Sequence, residues 1–207
     1  MNEDAERASA HADSEFRAAL ERLLAGQSSD PGKRQVIFLD CLDTRVGPLV
    51  IGATRDALCL LEFSDLRRLA SQIETLGKSF DAWFTRGPNA LLTMLRLQLR
   101  EYFAETRRSF DLPLEVRGTP FQKKVWAALM EIGYGETWSY RELASRVGDA
   151  RAARAVGTAN GMNRIAIVIP CHRVINTGGA LGGYGGGLLR KRFLLDLECG
   201  QQQIPTL

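Results

Sequence analysis

A thiol and an imidazole stand side by side in Pro170-Cys171-His172-Arg173-Val174. A thiol attacks carbon well only as thiolate, and at an ordinary pKa of about 8.5 little of it is ionised at neutral pH. A neighbouring histidine can serve as its base, directly or through a water, and the proline fixes the turn ahead of it. Adjacent strand residues face opposite ways, so contact between the two requires a turn at Cys171. On this segment alone, a cysteine of inert packing is the commoner reading.

The elements around that segment follow from periodicity and punctuation. Ile165–Ile169 is an apolar run that predicts a buried strand leading into it. Upstream, apolar residues at Phe121, Val125, Ala128, Leu129 and Ile132 predict a helix over Phe121–Ile132 after a proline start. Gly133–Thr137 is a turn, and Ser139–Val147 is a second helix with Ser139 as cap and Glu142 three residues on. Gly148-Asp149 breaks it, and helical composition resumes over Ala150–Met162. Two helices joined by a short glycine-bearing turn make a helix-turn-helix candidate, a pattern that many hairpins share without binding anything. The second helix is built of small residues, with Arg151 and Arg154 as its long side chains before Met162. Such a helix approaches another surface closely, whether a nucleic-acid duplex or its own domain.

The N-terminal half reads differently. Val36–Leu42, Leu49–Ala53 and Ala57–Phe63 are β-rich runs parted by Gly47-Pro48 and Arg55-Asp56, predicting a small antiparallel sheet of about three strands. Ser64–Leu76 and Asn89–Phe103 are helices to pack on it. Residues 1–13 are polar, and Ser14 caps a short amphipathic helix through Ala25 with Gly26 as its stop. Arg117-Gly118-Thr119-Pro120 is the boundary between halves. The expected organisation is a flexible extension over 1–32, a sheet-and-helix domain over 33–116, a helical domain over 117–200 and a tail over 201–207.

Composition limits the functions available. Of 207 residues, 45% are apolar and 25% charged, the balance of a globular chain. No apolar run approaches the roughly 18 residues that cross a bilayer, and Glu3, Asp4 and Glu6 stand where a signal peptide would be basic and then apolar. Four scattered cysteines with no CxxC pair, and two histidines, argue against zinc or a disulfide framework. Reduced thiols in a cytoplasmic setting are expected. Residues 118–207 hold 11 Lys/Arg against 6 Asp/Glu, whereas residues 1–117 hold 16 against 18. A basic half fits a polyanionic partner, or merely a solvated surface.

The run from Arg117 to Glu198 closely resembles the O6-alkylguanine-DNA alkyltransferase family. The resemblance rests on Gly118-Thr-Pro-Phe-Gln122, Trp138-Ser139-Tyr140, Arg151-Ala-Ala-Arg154-Ala-Val156, Ile169-Pro-Cys-His-Arg-Val174, and Gly182-Gly-Tyr184 followed by Arg190-Lys-Arg192. In residues 33–116 it is weaker, confined to Leu42-Asp43-Thr44 and Gly47-Pro48-Leu49. It implies an α/β (α+β) protein with a ribonuclease H-like N-terminal unit. It also implies single-turnover repair of O6-alkylguanine in double-stranded DNA, with O4-alkylthymine a poorer substrate, by a monomer without cofactor or metal in the bacterial cytosol or nucleoid.

The resemblance also implies roles by position. Cys171 is the alkyl acceptor, His172 its base through a water, Glu198 the group that polarises His172, and Asn163 the brace of the turn. Tyr140 assists the leaving guanine. Arg154 fills the duplex where the base had been, with Arg151, Arg141, Gln122 and Thr177 also on DNA. Asn160, Ala166, Val174, Tyr184, Gly185 and Gly186 line the pocket for the alkylated base. Without the family, Glu198 would read as the cap of a surface helix and Tyr184 as part of a floppy glycine loop. Arg164 and Ala166 replace prolines found in many members, so a rigid pocket wall is not implied. The Asn163-Arg-Ile-Ala-Ile version looks closest to the alkyltransferase half of bacterial Ada proteins.

Chemistry agrees with those roles. A base buried in the stack must be extruded, at a cost of about a few kcal/mol, before its O6 substituent can be attacked. The thioether formed has no easy route back to thiolate, so one turnover per molecule is expected. Two rivals keep their place: a damage sensor of similar sequence, whose class lacks the reactive cysteine, and a helix-turn-helix regulator with an inert thiol.

The charge asymmetry generates a prediction. Each phosphate neutralised contributes about −0.9 to the slope of log K against log salt, so a few arginines give a slope on the order of −2 to −4. A salt titration on unrelated undamaged duplexes measures it. A flat response, or a preference of several kcal/mol for one sequence, favours the regulator.

Overall fold

The computed structural model describes residues 18–22, 24, 25, 30–63 and 66–200, with backbone alone for 66–70. The expectations for residues 1–13, Ser14, Gly26 and the tail over 201–207 lie outside the described residues. Residues 18–22, 24 and 25 are helical, in keeping with the amphipathic helix expected there, and Leu20 is fully buried. The chain forms two compact units. One runs to Leu95 and takes in Leu112–Leu114, and the other comprises Arg96–Asp111 and the chain from Glu115 onward.

The first unit is built on a sheet of four strands, not three: β1 (Gln35–Leu42), β2 (Leu49–Ala53), β3 (Leu58–Phe63) and β4 (Ala82–Thr85), in the order β3-β2-β1-β4. The first three pair antiparallel, and β4 lies parallel to β1. Sequence reading misses β4 because Ala-Trp-Phe-Thr is too short to display a period, and its pairing with β1 is set by the crossover helix α1 (Leu66–Phe80). Ile37, Leu39 and Cys41 alternate inward along β1, as a half-buried strand requires, and pack with Ile73, Leu76 and Phe84. Helix α2 (Ala90–Phe103) follows, capped by Asn89, whose Oδ1 accepts from Leu92 N at 3.1 Å.

In the second unit, α3 (Pro120–Leu129) starts at a capping box formed by Thr119 and Gln122. A second box, Ser139 with Glu142, starts α4 (Tyr140–Arg146). After Gly148 a single 3₁₀ turn (Ala150–Ala152) leads into α5 (Ala153–Gly161), so the helix-turn-helix order is present. Trp126 Nε1 donates to Ala159 O at 2.9 Å and ties α3 to α5. Two short parallel strands, β5 (Trp138–Ser139) and β6 (Val174–Ile175), join the start of α4 to the signature segment. The chain then runs through a glycine-rich loop into α6 (Leu188–Glu198). No helix of the described residues is long and apolar enough to cross a membrane.

One expectation is overturned here. Ile165–Ile169 is buried as expected but is not a strand. Val168 N bonds back to Ala166 O at 2.8 Å, Ile169 N to Ile165 O at 2.9 Å and Cys171 N to Ile169 O at 2.8 Å. Ile167 sits at φ 70°, a left-handed conformation that β-branched residues avoid. An apolar run reports burial, not extension, and here side-chain hydrogen bonds from Asn163 take the place of a ladder.

The Ser139 cap fixes the first residue of α4, Tyr140. Ser139→Ala is expected to lower the unfolding free energy by about 1 kcal/mol, read from urea denaturation. A variant as stable as the parent would mean that the hydroxyl contributes nothing.

Candidate functional site

Cys171 opens a 3₁₀ turn, Cys171–Arg173, that supplies the change of direction expected there. The turn is held from α5 and the residues that follow it. Asn163 Oδ1 accepts from Ile165 N at 3.0 Å, and its Nδ2 donates to Ile169 O at 2.8 Å and reaches Cys171 Sγ at 3.0 Å. Asn160 Nδ2 donates to Cys171 O at 3.4 Å. An N–H aimed at sulfur favours its anionic form. Both asparagines and Cys171 are buried, so this brace lies inside the unit rather than on a mobile surface.

Beyond the turn lies a buried charge cluster. His172 Nε2 meets Glu198 Oε1 at 2.8 Å, with both side chains fully inaccessible. Arg173 forks onto the same carboxylate, Nη2 to Oε1 at 2.9 Å and Nε to Oε2 at 2.8 Å, and its Nη1 donates to Ile132 O at 2.6 Å. Tyr102 donates its hydroxyl to Oε1 at 2.7 Å, and Gly135 N donates to Oε2 at 3.2 Å. Glu198 is therefore no surface cap but an anion saturated with donors. Burial opposes its ionisation, yet the bonds and charges of His172 and Arg173 outweigh that and hold the carboxyl well below the usual range.

The tautomer of His172 follows. Burial pushes its pKa below the ordinary histidine value, against the pull of Glu198, so the ring is neutral. Glu198 is ionised and can only accept, so Nε2 carries the proton and Nδ1 keeps a free lone pair. No described residue bonds Nδ1. The ring is thus a neutral imidazole oriented by a carboxylate, with Nδ1 able to accept a proton.

Tyr140, half-buried at the head of α4, donates its hydroxyl to Gly183 O at 3.2 Å, tying the glycine loop down. Gly182 lies against it at φ 65°, where a Cβ would meet the Tyr140 ring at 2.9 Å, so this position requires glycine. Burial, and then the charge that Cys171 takes on as a thiolate, raise the pKa of Tyr140 and keep it protonated. Lys191 is fully buried, donating to Val174 O at 2.5 Å and Gly183 O at 3.3 Å. Burial brings its pKa down to about 8.

Among the remaining sequence-derived residues, Ala166, Val174 and Gly186 are buried, Tyr184 is half-buried and Gly185 exposed. Arg141, Arg151, Arg154 and Thr177 are exposed. Arg151 Nε contacts Asp149, the cap of the turn before α5, at 3.2 Å. Gln122 closes the capping box of α3, so its first task is structural. Sequence reasoning missed Tyr102, Lys191 and the part played by Arg173. The lysine sits inside a basic triplet and the tyrosine inside an apolar helix. Only Arg173 carried a signal, as a charge within an apolar signature. Among the described residues no three His, Cys, Asp or Glu side chains cluster as metal ligands.

Two family models match the chain. 6-O-methylguanine DNA methyltransferase, ribonuclease-like domain, covers residues 37–116, and the DNA binding domain of the same family covers residues 120–200. A methylated-DNA–protein-cysteine methyltransferase of Mycobacterium tuberculosis is 47% identical over 163 residues, 79% of this chain and 93% of that one. One from Methanosarcina barkeri is 42% identical over 78% of this chain and 97% of its own length. The crystal structure of Mycobacterium tuberculosis OGT in complex with DNA matches with a TM-score of 0.67 and 41% identity, over 80% of this chain and 94% of that one. The chain belongs to the 6-O-methylguanine DNA methyltransferase family.

Proposed function

We propose that this protein repairs O6-alkylguanine in DNA by moving the alkyl group irreversibly to its own Cys171. The observation that carries the reading is the buried thiol braced by Asn163 at 3.0 Å, next in sequence to a neutral histidine held by Glu198. His172 takes the thiol proton through a water. The Sγ–alkyl bond then forms as the alkyl–O6 bond breaks, and the departing guanine gains a proton from Tyr140. Substrate access requires an extruded base, which exposed Arg154 on small-residue α5 replaces in the stack while Arg151 and Arg141 meet phosphates. The glycine loop with Tyr184, Gly185 and Gly186, together with Asn160, Ala166 and Val174, walls the base. O4-alkylthymine is the poorer substrate. The protein acts as a monomer on duplex DNA in the cytoplasm, and the DNA-bound relative supports that partner.

The test is intact-mass and peptide mass spectrometry after mixing with a duplex carrying one O6-methylguanine. One methyl per chain, on Cys171, is the expected result. Cys171→Ser should gain none yet still bind the lesion duplex, because a hydroxyl is far less ionised than a thiol. Transfer that persists in the serine variant would remove Cys171 as acceptor, and binding without any mass change in the parent would favour a sensor or regulator.

A further inference from the structure

Glu198 is bonded by more than its neighbours in the signature. Three donors converge on Oε1, and one of them, Tyr102, lies 96 positions away in sequence on the last turn of α2. It also lies outside residues 120–200, the span of the DNA-binding-domain match. We infer that Tyr102 is a positioning residue for alkyl transfer, its hydroxyl occupying Glu198 Oε1 beside His172 so that the imidazole stays neutral and proton-accepting. The inference rests on the reading of Cys171 as acceptor and His172 as its base.

Packing alone does not require an oxygen at position 102. The ring is fully buried against Phe103, Phe110 and Tyr134, with centroids 5.3, 5.5 and 6.1 Å away. Phenylalanine would fill that aromatic cage equally well, and a buried hydroxyl is unfavourable unless bonded. Its one partner there is the carboxylate that orients His172. Burial and the charge of Glu198 raise the pKa of Tyr102 well above the ordinary tyrosine value, so it remains a donor.

The electrostatic consequence has a definite sign. A carboxylate stabilises imidazolium in proportion to the charge it has left to offer. Arg173 neutralises Glu198 from the signature turn, Tyr102 takes a lone pair from α2, and Gly135 N takes another from the turn after α3. Lys191, on α6, disfavours a positive His172 further. Behind this group Tyr134 donates to Leu197 O at 3.4 Å and carries Arg108 and Arg173 over its ring, with Glu105 acting on it from the turn after α2. Deleting the Tyr102 hydroxyl returns a lone pair to Glu198. The imidazolium is then better held, and the pKa of His172 rises. Since the base works only when neutral, the acidic limb of transfer moves to higher pH.

The test uses the full chain. Its two histidines are His11 and His172, so His11→Gln leaves one ring to follow by NMR. In that background the His172 ring C–H signals are titrated, and single-turnover transfer from an O6-methylguanine duplex is measured over about pH 5 to 9. In Tyr102→Phe both midpoints should rise together by about half a unit to one unit. Fluorotyrosine at position 102 keeps the shape and donates more strongly, so it should move both midpoints the other way. A merely structural role would alter stability and leave the midpoints in place, and unshifted midpoints in both variants overturn the inference. If the parent forms no adduct on Cys171, the reading of function fails instead, while the histidine titration still decides the part of Tyr102.

Discussion

A carboxylate taken out of water must be answered by donors, and at Glu198 that requirement organises the second unit. Leaving such a charge uncompensated costs about 3–5 kcal/mol when one partner of a buried pair is lost. Here the answer comes from three places in the chain: the end of α2 through Tyr102, the turn after α3 through Gly135, and the signature turn through His172 and Arg173. Arg173 then passes the constraint on to Ile132 O, fixing the end of α3 against the same turn. The functional consequence sits on His172. Because Glu198 is already neutralised, it orients the imidazole without charging it.

A second constraint acts on the other side of Cys171. Asn163 occupies the backbone groups of Ile165 and Ile169 with one side chain and still reaches the sulfur. That is why an apolar run with strand composition is coiled into turns. Cys171 is held by side-chain amides from α5 and the residues just after it, and His172 by a carboxylate from α6. Helix α5 is also the one that presents Arg154 to solvent. The same short helix thus carries Asn160, bonded to Cys171 O, and the exposed cation Arg154.

Much of this was legible in the sequence, for reasons that vary by residue. Ser139 and Glu142 declare a capping box by spacing alone, and the structure forms it. Cys171, His172, Asn163 and Glu198 are named by the family resemblance, and the structure brings them into bonded pairs. Tyr102 was not legible, because a tyrosine in an apolar helix announces burial but not the partner of its hydroxyl. Lys191 was hidden by its neighbours: between two arginines it reads as surface charge, yet it is fully buried with two carbonyl acceptors. Strand β4 was lost for a similar reason, since four residues cannot display a period and their pairing with β1 is a long-range fact.

The state of one proton pair carries the most weight. Nitrogen-15 NMR of His172 at neutral pH, in a chain with His11 replaced, reports charge and tautomer together. A neutral ring with its proton on Nε2 and a lone pair on Nδ1 is the expected spectrum. An imidazolium at neutral pH, or a proton resting on Nδ1, would contradict a base oriented by a neutralised carboxylate.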